Sequence, residues 1–325
     1  MKAKGWGSWL RALQLLMTTG LMAWLLRQIE WPSIRLLLTT ARWSLVVLSI
    51  GGLCLSHLIN VIRWRYLLDQ RQISFGTLLT IYGAGLFSNN FLPTGIGGDG
   101  VRAALLNRHV PLGRAMFSVV LDRGIGLIAL SALFAFGLWG GLPPNLDFGI
   151  SDRLSLLGGW NGLALAVVVP AALFVAGLLA WHRLPAVRAR ILGALARRTI
   201  AWDVPQWNIH QWLQRLGGSY LLSVGSHLGT VAAIWATLVA MQVDVPPLAA
   251  IWLVAISSLS LLLPIAVNGI GVVESSYVIV LGSYGVAPSV GLSVALVVRV
   301  IALLVSLAGG ILTVNRRMLE AEGQI

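Results

Sequence analysis

The chain has 325 residues, of which 57% are hydrophobic and only 10% are charged. Apolar runs of membrane-spanning length recur along the whole sequence, which excludes a soluble domain with one core and indicates an all-α polytopic membrane protein. The formal net charge of +12 does not indicate a nucleic-acid partner, because the arginines lie at the ends of apolar runs. Cytoplasmic loops and anionic headgroups account for such a distribution.

The apolar runs predict about six full spanning helices and two interrupted segments. Each of the six has about the length that a bilayer requires. The two interrupted runs end in proline and glycine, and we interpret them as re-entrant hairpins. The spanning helices are expected near 9–27, 43–62, 113–139, 160–181, 220–241 and 289–313, and the interrupted runs at 75–91 and 248–263.

The polar connections predict the orientation of the chain. The connection 182–219 carries six arginines, whereas 140–159 carries two aspartates and one arginine. By the positive-inside rule the first is cytoplasmic and the second is outside, which places both termini in the cytoplasm. We expect an integral protein of the bacterial inner membrane. Near 184–215, apolar residues recur every four positions opposite arginines, a pattern typical of an amphipathic helix on the cytoplasmic membrane surface.

The stretch Ser88–Arg102 is polar and glycine-rich although apolar runs surround it. Its proline and glycines prevent a regular helix, and such backbone is tolerated at bilayer depth only when it is buried in protein or lines a wet cavity. Asp99 and Arg102 are three residues apart, so they share a helix face and can pair. Two interpretations stay open: a polar binding pocket, or a tight packing turn with a structural ion pair. The predicted turn residues are Pro93, Gly95, Gly97 and Gly98.

A second stretch, Leu262–Ser276, repeats this chemistry. It carries a proline, two glycines and an acid, and after each stretch comes a helix with an arginine, Arg123 or Arg299. The sequence therefore predicts an internal repeat within a single membrane domain, 1–325, with halves 1–140 and 141–325 of opposite orientation. Inverted repeats with broken helices are typical of secondary transporters. The second set of turn residues and the acid are Pro264, Gly269, Gly271 and Glu274.

The two stretches carry motifs of a known family. The first has the pattern N-x-L-P followed by glycine, an acid and an arginine, and the second has L-P-x-x-x-x-G-x-G-x-x-E. Both resemble the lysylphosphatidylglycerol synthase transmembrane family, also called the flippase-like domain family, over nearly the whole chain. The resemblance implies translocation or binding of a lipid. It does not imply lysyl transfer, which depends on a soluble catalytic domain. The residues that match are Asn90, Leu92, Pro93, Gly98, Asp99, Arg102, Leu263, Pro264, Gly269, Gly271 and Glu274.

The sequence shows no constellation for catalysis. Its five histidines lack any metal-ligand spacing such as HExxH, and the single cysteine, Cys54, lies in an apolar run. We therefore expect no catalytic residues, no metal and no cofactor. We expect buried arginines that lack a counter-charge, which an anionic phosphate headgroup would supply. The candidate substrate-binding residues are Asn90, Asp99, Arg102, Arg123, Glu274 and Arg299.

Three functions follow as hypotheses. The first is a flippase-like protein that translocates or binds a phosphate-bearing lipid headgroup between the two halves. The second is an integral membrane enzyme of lipid or glycan modification that uses Asp99 or Glu274 as a general base. The third is a non-transporting partner subunit of lipid-modifying enzymes, with the surface helix near 184–215 as its docking site.

Overall fold

The structure is a computed structural model that describes residues 35, 39–70, 72–90, 92, 97–144, 203–261 and 267–321. The prediction of an all-helical chain is confirmed for this part, which contains α-helices, one 3-10 turn and no strand. The helices are α1 (Trp43–Leu68), α2 (Phe75–Ser88), α3 (Gly97–Leu106), α4 (Leu112–Gly140), α5 (Ile209–Ala240), α6 (Pro247–Ser260), α7 (Val272–Ser283) and α8 (Pro288–Ala321).

Four of these helices are long and apolar enough to cross a membrane: α1, α4, α5 and α8. The shortest, α1, has 26 residues, and at about 1.5 Å per residue it extends about 39 Å, more than the hydrocarbon core of about 30 Å. Many of their large apolar side chains face outward, as expected for contact with lipid. The chain is thus an integral membrane protein.

The other four helices are short and form two consecutive pairs, α2 with α3 and α6 with α7. Local signals set where they begin: the Ser74 hydroxyl accepts a hydrogen bond from the backbone of Thr77 at the start of α2, and Pro247 occupies the first turn of α6. Between α6 and α7 the backbone turns through Asn268, which has a left-handed φ of 48°. In the described part, two short helices thus lie between two long helices, and this order occurs twice along the chain.

Helices of the first set, α1 to α4, pack on helices of the second set, α5 to α8. The helix α1 packs on α5, α2 on α8, and α4 on α6. Along α1 and α5 the contacts run antiparallel: Ser49 bonds to Thr237 and Ser56 to Thr230, through hydroxyl pairs 2.8 and 2.9 Å apart. Small residues let the two backbones approach, because a Cβ on Gly52 would lie 3.3 Å from Ala233.

The helix starts agree with the predicted runs except at α5, whereas α1 and α8 end six and eight residues after their predicted ends. The helix expected over 220–241 begins at Ile209, because Asn208 and Gln211 form a reciprocal capping box there. The prediction of a surface helix near 184–215 was wrong for residues 203–208, which form no helix, and residues 209–215 form the start of α5. Residues 184–202 lie outside the described residues. The spans expected at 9–27 and 160–181 also lie outside them, as do Pro93, Gly95 and Pro264.

Candidate functional site

Two glycines bring the first interrupted stretch against α2. A Cβ on Gly98 would lie 2.1 Å from the carbonyl oxygen of Gly85, so only glycine permits this approach of α3 to α2. The Gly98 backbone N–H donates to Asn89 Oδ1 over 2.7 Å. This contact fixes the start of α3, and the next turn directs Asp99 and Arg102 into the protein, where each is 4% exposed.

Five charged residues form what we call the first polar cluster: Arg63, Asp99, Arg102, Asp122 and Arg123. The Arg63 Nε donates to Asp122 Oδ1 over 2.8 Å, and Arg102 Nη2 donates to Asp122 Oδ2 over 3.2 Å. Arg102 Nη1 donates to Asp99 Oδ1 over 3.2 Å, and Arg123 Nε donates to Asp99 Oδ2 over 2.5 Å. The charges therefore alternate along one chain of contacts that joins α1, α3 and α4.

Arg102 occupies the centre of this chain and lies between two aromatic rings. Its guanidinium carbon is 4.1 Å from the ring centroid of Trp64 and 4.9 Å from that of Tyr82. Such cation–π contacts stabilise a cation in a site that water does not reach. Its Nε is buried and has no hydrogen-bond partner among the described residues. The centre of the cluster thus holds a desolvated cation with one unused donor.

Arg123 is the accessible end of the cluster. Its side chain is 52% exposed, whereas those of the other four members are at most 8% exposed. The hydrogen bond that it donates within the described part of the chain comes from Nε, which leaves Nη1 and Nη2 for another acceptor. Arg123 lies about 16 Å along α4 from its start, and so near the middle of a span. Three arginines face two carboxylates, and the cluster carries one surplus positive charge.

A second, smaller charged site lies in the other set of helices. Arg299 of α8 donates from Nε to Oε1 of Glu274, which is fully buried at the start of α7. The other carboxylate oxygen, Oε2, accepts from the backbone N–H of Gly271 over 2.7 Å. Gly271 and Gly269 have left-handed φ values of 87° and 63°, which favour glycine. Here one arginine faces one carboxylate, so the charges balance.

The two interrupted stretches contact each other through amide side chains. Asn268 Nδ2 donates to Asn90 Oδ1 over 3.2 Å, and Asn90 Nδ2 donates to Ser306 Oγ of α8 over 2.7 Å. Asn90 follows α2 and Asn268 precedes α7, so these amides join the first stretch to the second. The contact carries no charge.

The structure therefore brings together most of the residues that the sequence singled out. Asp99, Arg102 and Arg123 share one cluster, Glu274 and Arg299 form a separate pair, and Asn90 lies in neither. The pairing of Asp99 with Arg102 is confirmed. The expectation that the buried arginines lack a counter-charge was wrong, because each arginine of the two sites contacts a carboxylate.

Sequence reasoning missed Arg63 and Asp122 as members of the site. Arg63 is near the end of the predicted apolar run 43–62 and was not singled out, although it lies within α1 and is 7% exposed. Asp122 is next to Arg123 in an apolar helix and is 1% exposed. A carboxylate within a spanning helix was the signal that could have identified it. Among the described residues, no group of His, Cys, Asp or Glu side chains is arranged to hold a metal ion.

Comparison with known proteins agrees with these features. The sequence profile of the family described as the lysylphosphatidylglycerol synthase TM region matches residues 11–310. A search of curated proteins gives no match. The family match covers both interrupted stretches, all eight described helices apart from the end of α8, and the segment 145–202. The chain therefore belongs to the lysylphosphatidylglycerol synthase transmembrane family.

Proposed function

We propose that the protein is a flippase-like membrane protein that binds the phosphate-bearing headgroup of a lipid and passes it between the two halves of the chain. The acyl or prenyl chains would stay in the surrounding lipid. The protein would lie in a bacterial inner membrane with both termini in the cytoplasm, as the arginine distribution of the connections indicates.

The surplus positive charge of the first polar cluster is the observation that carries this proposal. A charge near the middle of a spanning helix costs roughly 2.5 to 3.5 kcal/mol on insertion scales, so an uncompensated one is a functional candidate. Arg123 supplies two donor groups at the accessible end, and an arginine binds phosphate oxygens in a bidentate manner. A packing turn alone requires pairs, which the balanced contact of Glu274 with Arg299 illustrates, and it requires no surplus.

The repeated order of the helices supports an inverted arrangement of the halves. If α1 corresponds to α5, their antiparallel contact relates the halves by inversion. The same correspondence matches the Arg123 contact to Asp99 with the Arg299 contact to Glu274, since both pairs use an arginine Nε of a long helix. Inverted halves around a polar centre allow access to alternate between the two sides.

Reconstitution of the purified protein in vesicles tests the proposal. A phosphatidylglycerol analogue with a fluorescent acyl chain should cross the bilayer faster with the protein than without it. The Arg123→Gln variant should lose most of this rate, because a hydrogen bond to a charged group contributes about 1.5 to 3 kcal/mol, or about 10- to 100-fold. The matched control is Arg114→Gln, which removes an arginine of the same helix that pairs with Asp203.

The results separate the three hypotheses. Equal rates for Arg123→Gln and Arg114→Gln would contradict a role for the first polar cluster in translocation. A change in the mass of the recovered lipid would instead favour the modifying enzyme. If neither transport nor a change of mass occurs, co-purification of a lipid-modifying enzyme that is lost on deletion of residues 184–202 would favour the partner subunit.

A further inference from the structure

In the first polar cluster, positive and negative side chains alternate, and the arginine at one end of the series is accessible. From Arg63 the contacts run to Asp122, then to Arg102, then to Asp99 and finally to Arg123. The Arg63 end is closed by a neutral group, since Arg63 Nη1 donates to the hydroxyl of Ser223 over 2.7 Å. The Arg123 end is half-exposed, and the next member of an alternating series there would be an anion.

We propose that the first polar cluster selects a lipid headgroup with a single negative charge, a phosphodiester, over one with two negative charges or none. This inference rests on the proposed function and specifies the substrate class of the same site. One negative charge at Arg123 would bring the described cluster, with three arginines and two carboxylates, to neutrality. A second negative charge would have no partner in it.

Because the cluster is buried, its affinity for a headgroup should depend strongly on the charge of that headgroup. Four of the five members are shielded from water, so an uncompensated charge beside them is expensive, and the cost grows as the surroundings become less polar. A phosphomonoester dianion would leave a surplus negative charge, and a zwitterionic headgroup would leave the positive surplus in place. Residues 93–96, which lie outside the described part, are proline, threonine, glycine and isoleucine and therefore add no charged side chain.

The second site differs from the first polar cluster in its net charge. Glu274 already receives Arg299 and the Gly271 N–H, so the described groups there are balanced without a ligand. An anion that reaches Arg299 must compete with an internal carboxylate. The selectivity for charge is therefore assigned to the first half, at Arg123.

Binding in nanodiscs tests the selectivity. The full chain is placed in discs of phosphatidylcholine, and phosphatidylglycerol or phosphatidic acid is titrated in at about pH 8.5, where the phosphomonoester carries nearly two charges. Phosphatidylglycerol should bind about tenfold or more tightly than phosphatidic acid. The Arg123→Gln variant should bind the two lipids equally weakly, and Arg114→Gln should keep the preference of the wild type.

A change of the internal charge should change the preference. Asp99→Asn raises the surplus from one to two, so the dianionic lipid should gain at least tenfold relative to the monoanionic one. The double variant Asp99→Asn with Arg123→Gln lacks the accessible arginine and should bind both lipids weakly, as Arg123→Gln does. If Asp99→Asn does not fold, Arg123→Gln alone remains the test, because it removes the surplus from the accessible end.

The outcomes distinguish a failure of the proposed function from a failure of the charge selectivity. If no anionic lipid binds above the phosphatidylcholine background, the proposed function fails. If both anionic lipids bind with equal affinity to the wild type, or if Asp99→Asn folds and keeps the original preference, anionic lipid binding stands and the selection for one charge is overturned.

Discussion

Substitution of Gly98 by alanine tests the tight contact between α2 and α3. The added Cβ would lie 2.1 Å from the Gly85 carbonyl oxygen and 2.6 Å from Asn89 Oδ1, so α3 must move by roughly 1 Å to restore an ordinary contact. Overpacking of this kind costs about 1 to 3 kcal/mol, and the Gly98 N–H bond to Asn89 would contribute about 1 kcal/mol more when it breaks. We expect Gly98→Ala to lose about 2 to 4 kcal/mol of stability.

Gly100 provides a matched control on the same helix. A Cβ there would meet nothing within 4 Å, so Gly100→Ala should gain about 0.5 to 1 kcal/mol from its better helix propensity. The measurement is the midpoint of thermal unfolding in mild detergent, followed by tryptophan fluorescence. Lipid binding should fall only in Gly98→Ala, because a shift of about 1 Å displaces Asp99 and Arg102. A Gly98→Ala midpoint at or above that of the wild type would refute this reasoning.

Two further predictions address the second site and the orientation of the halves. Arg299→Gln leaves the buried Glu274 carboxylate unpaired and should cost about 3 to 5 kcal/mol in unfolding, whereas Arg299→Gln together with Glu274→Gln should recover most of it; equal stability of the single and double variants would speak against the ion pair. With Cys54 replaced by alanine, single cysteines at Asn107 and Ala287, which are exposed in the turns after α3 and α7, should react with an impermeant maleimide from the cytoplasm and from outside respectively. Labelling of both from one side would rule out inverted halves.

Local patterns in the sequence predicted most of the described helices and one ion pair. Apolar runs predict helices because each residue at bilayer depth must satisfy its own backbone, and α1, α4 and α8 follow the predicted runs. The Asp99 contact with Arg102 follows from a spacing of three residues on one helix. The start of α5 was also readable, since Asn208 and Gln211 have the spacing of a capping box.

Local sequence patterns could not predict the contacts between helices. The pairing of Asp122 with Arg63 and Arg102 depends on how α4 packs on α1 and α3, and no spacing along the chain encodes that packing. Arg63 and Arg65 look alike in the sequence, yet Arg63 is buried and Arg65 is exposed, because they face opposite sides of α1. The surplus charge on which the proposed function rests is therefore evident only from the three-dimensional structure.

The division of contacts between the halves has a mechanical consequence. Within the first polar cluster and at Glu274 every described ion pair joins residues of the same half, and the contact of Asn90 with Asn268 across the halves is between two amides. Two other described ion pairs do cross the halves, Arg114 with Asp203 and Arg215 with Asp69. A neutral hydrogen bond contributes about 1 kcal/mol net, but removal of one partner of a buried ion pair costs about 3 to 5 kcal/mol. The first polar cluster and the Glu274 site thus keep their counter-ions when the halves move apart, whereas the ion pairs of Arg114 and Arg215 would have to break.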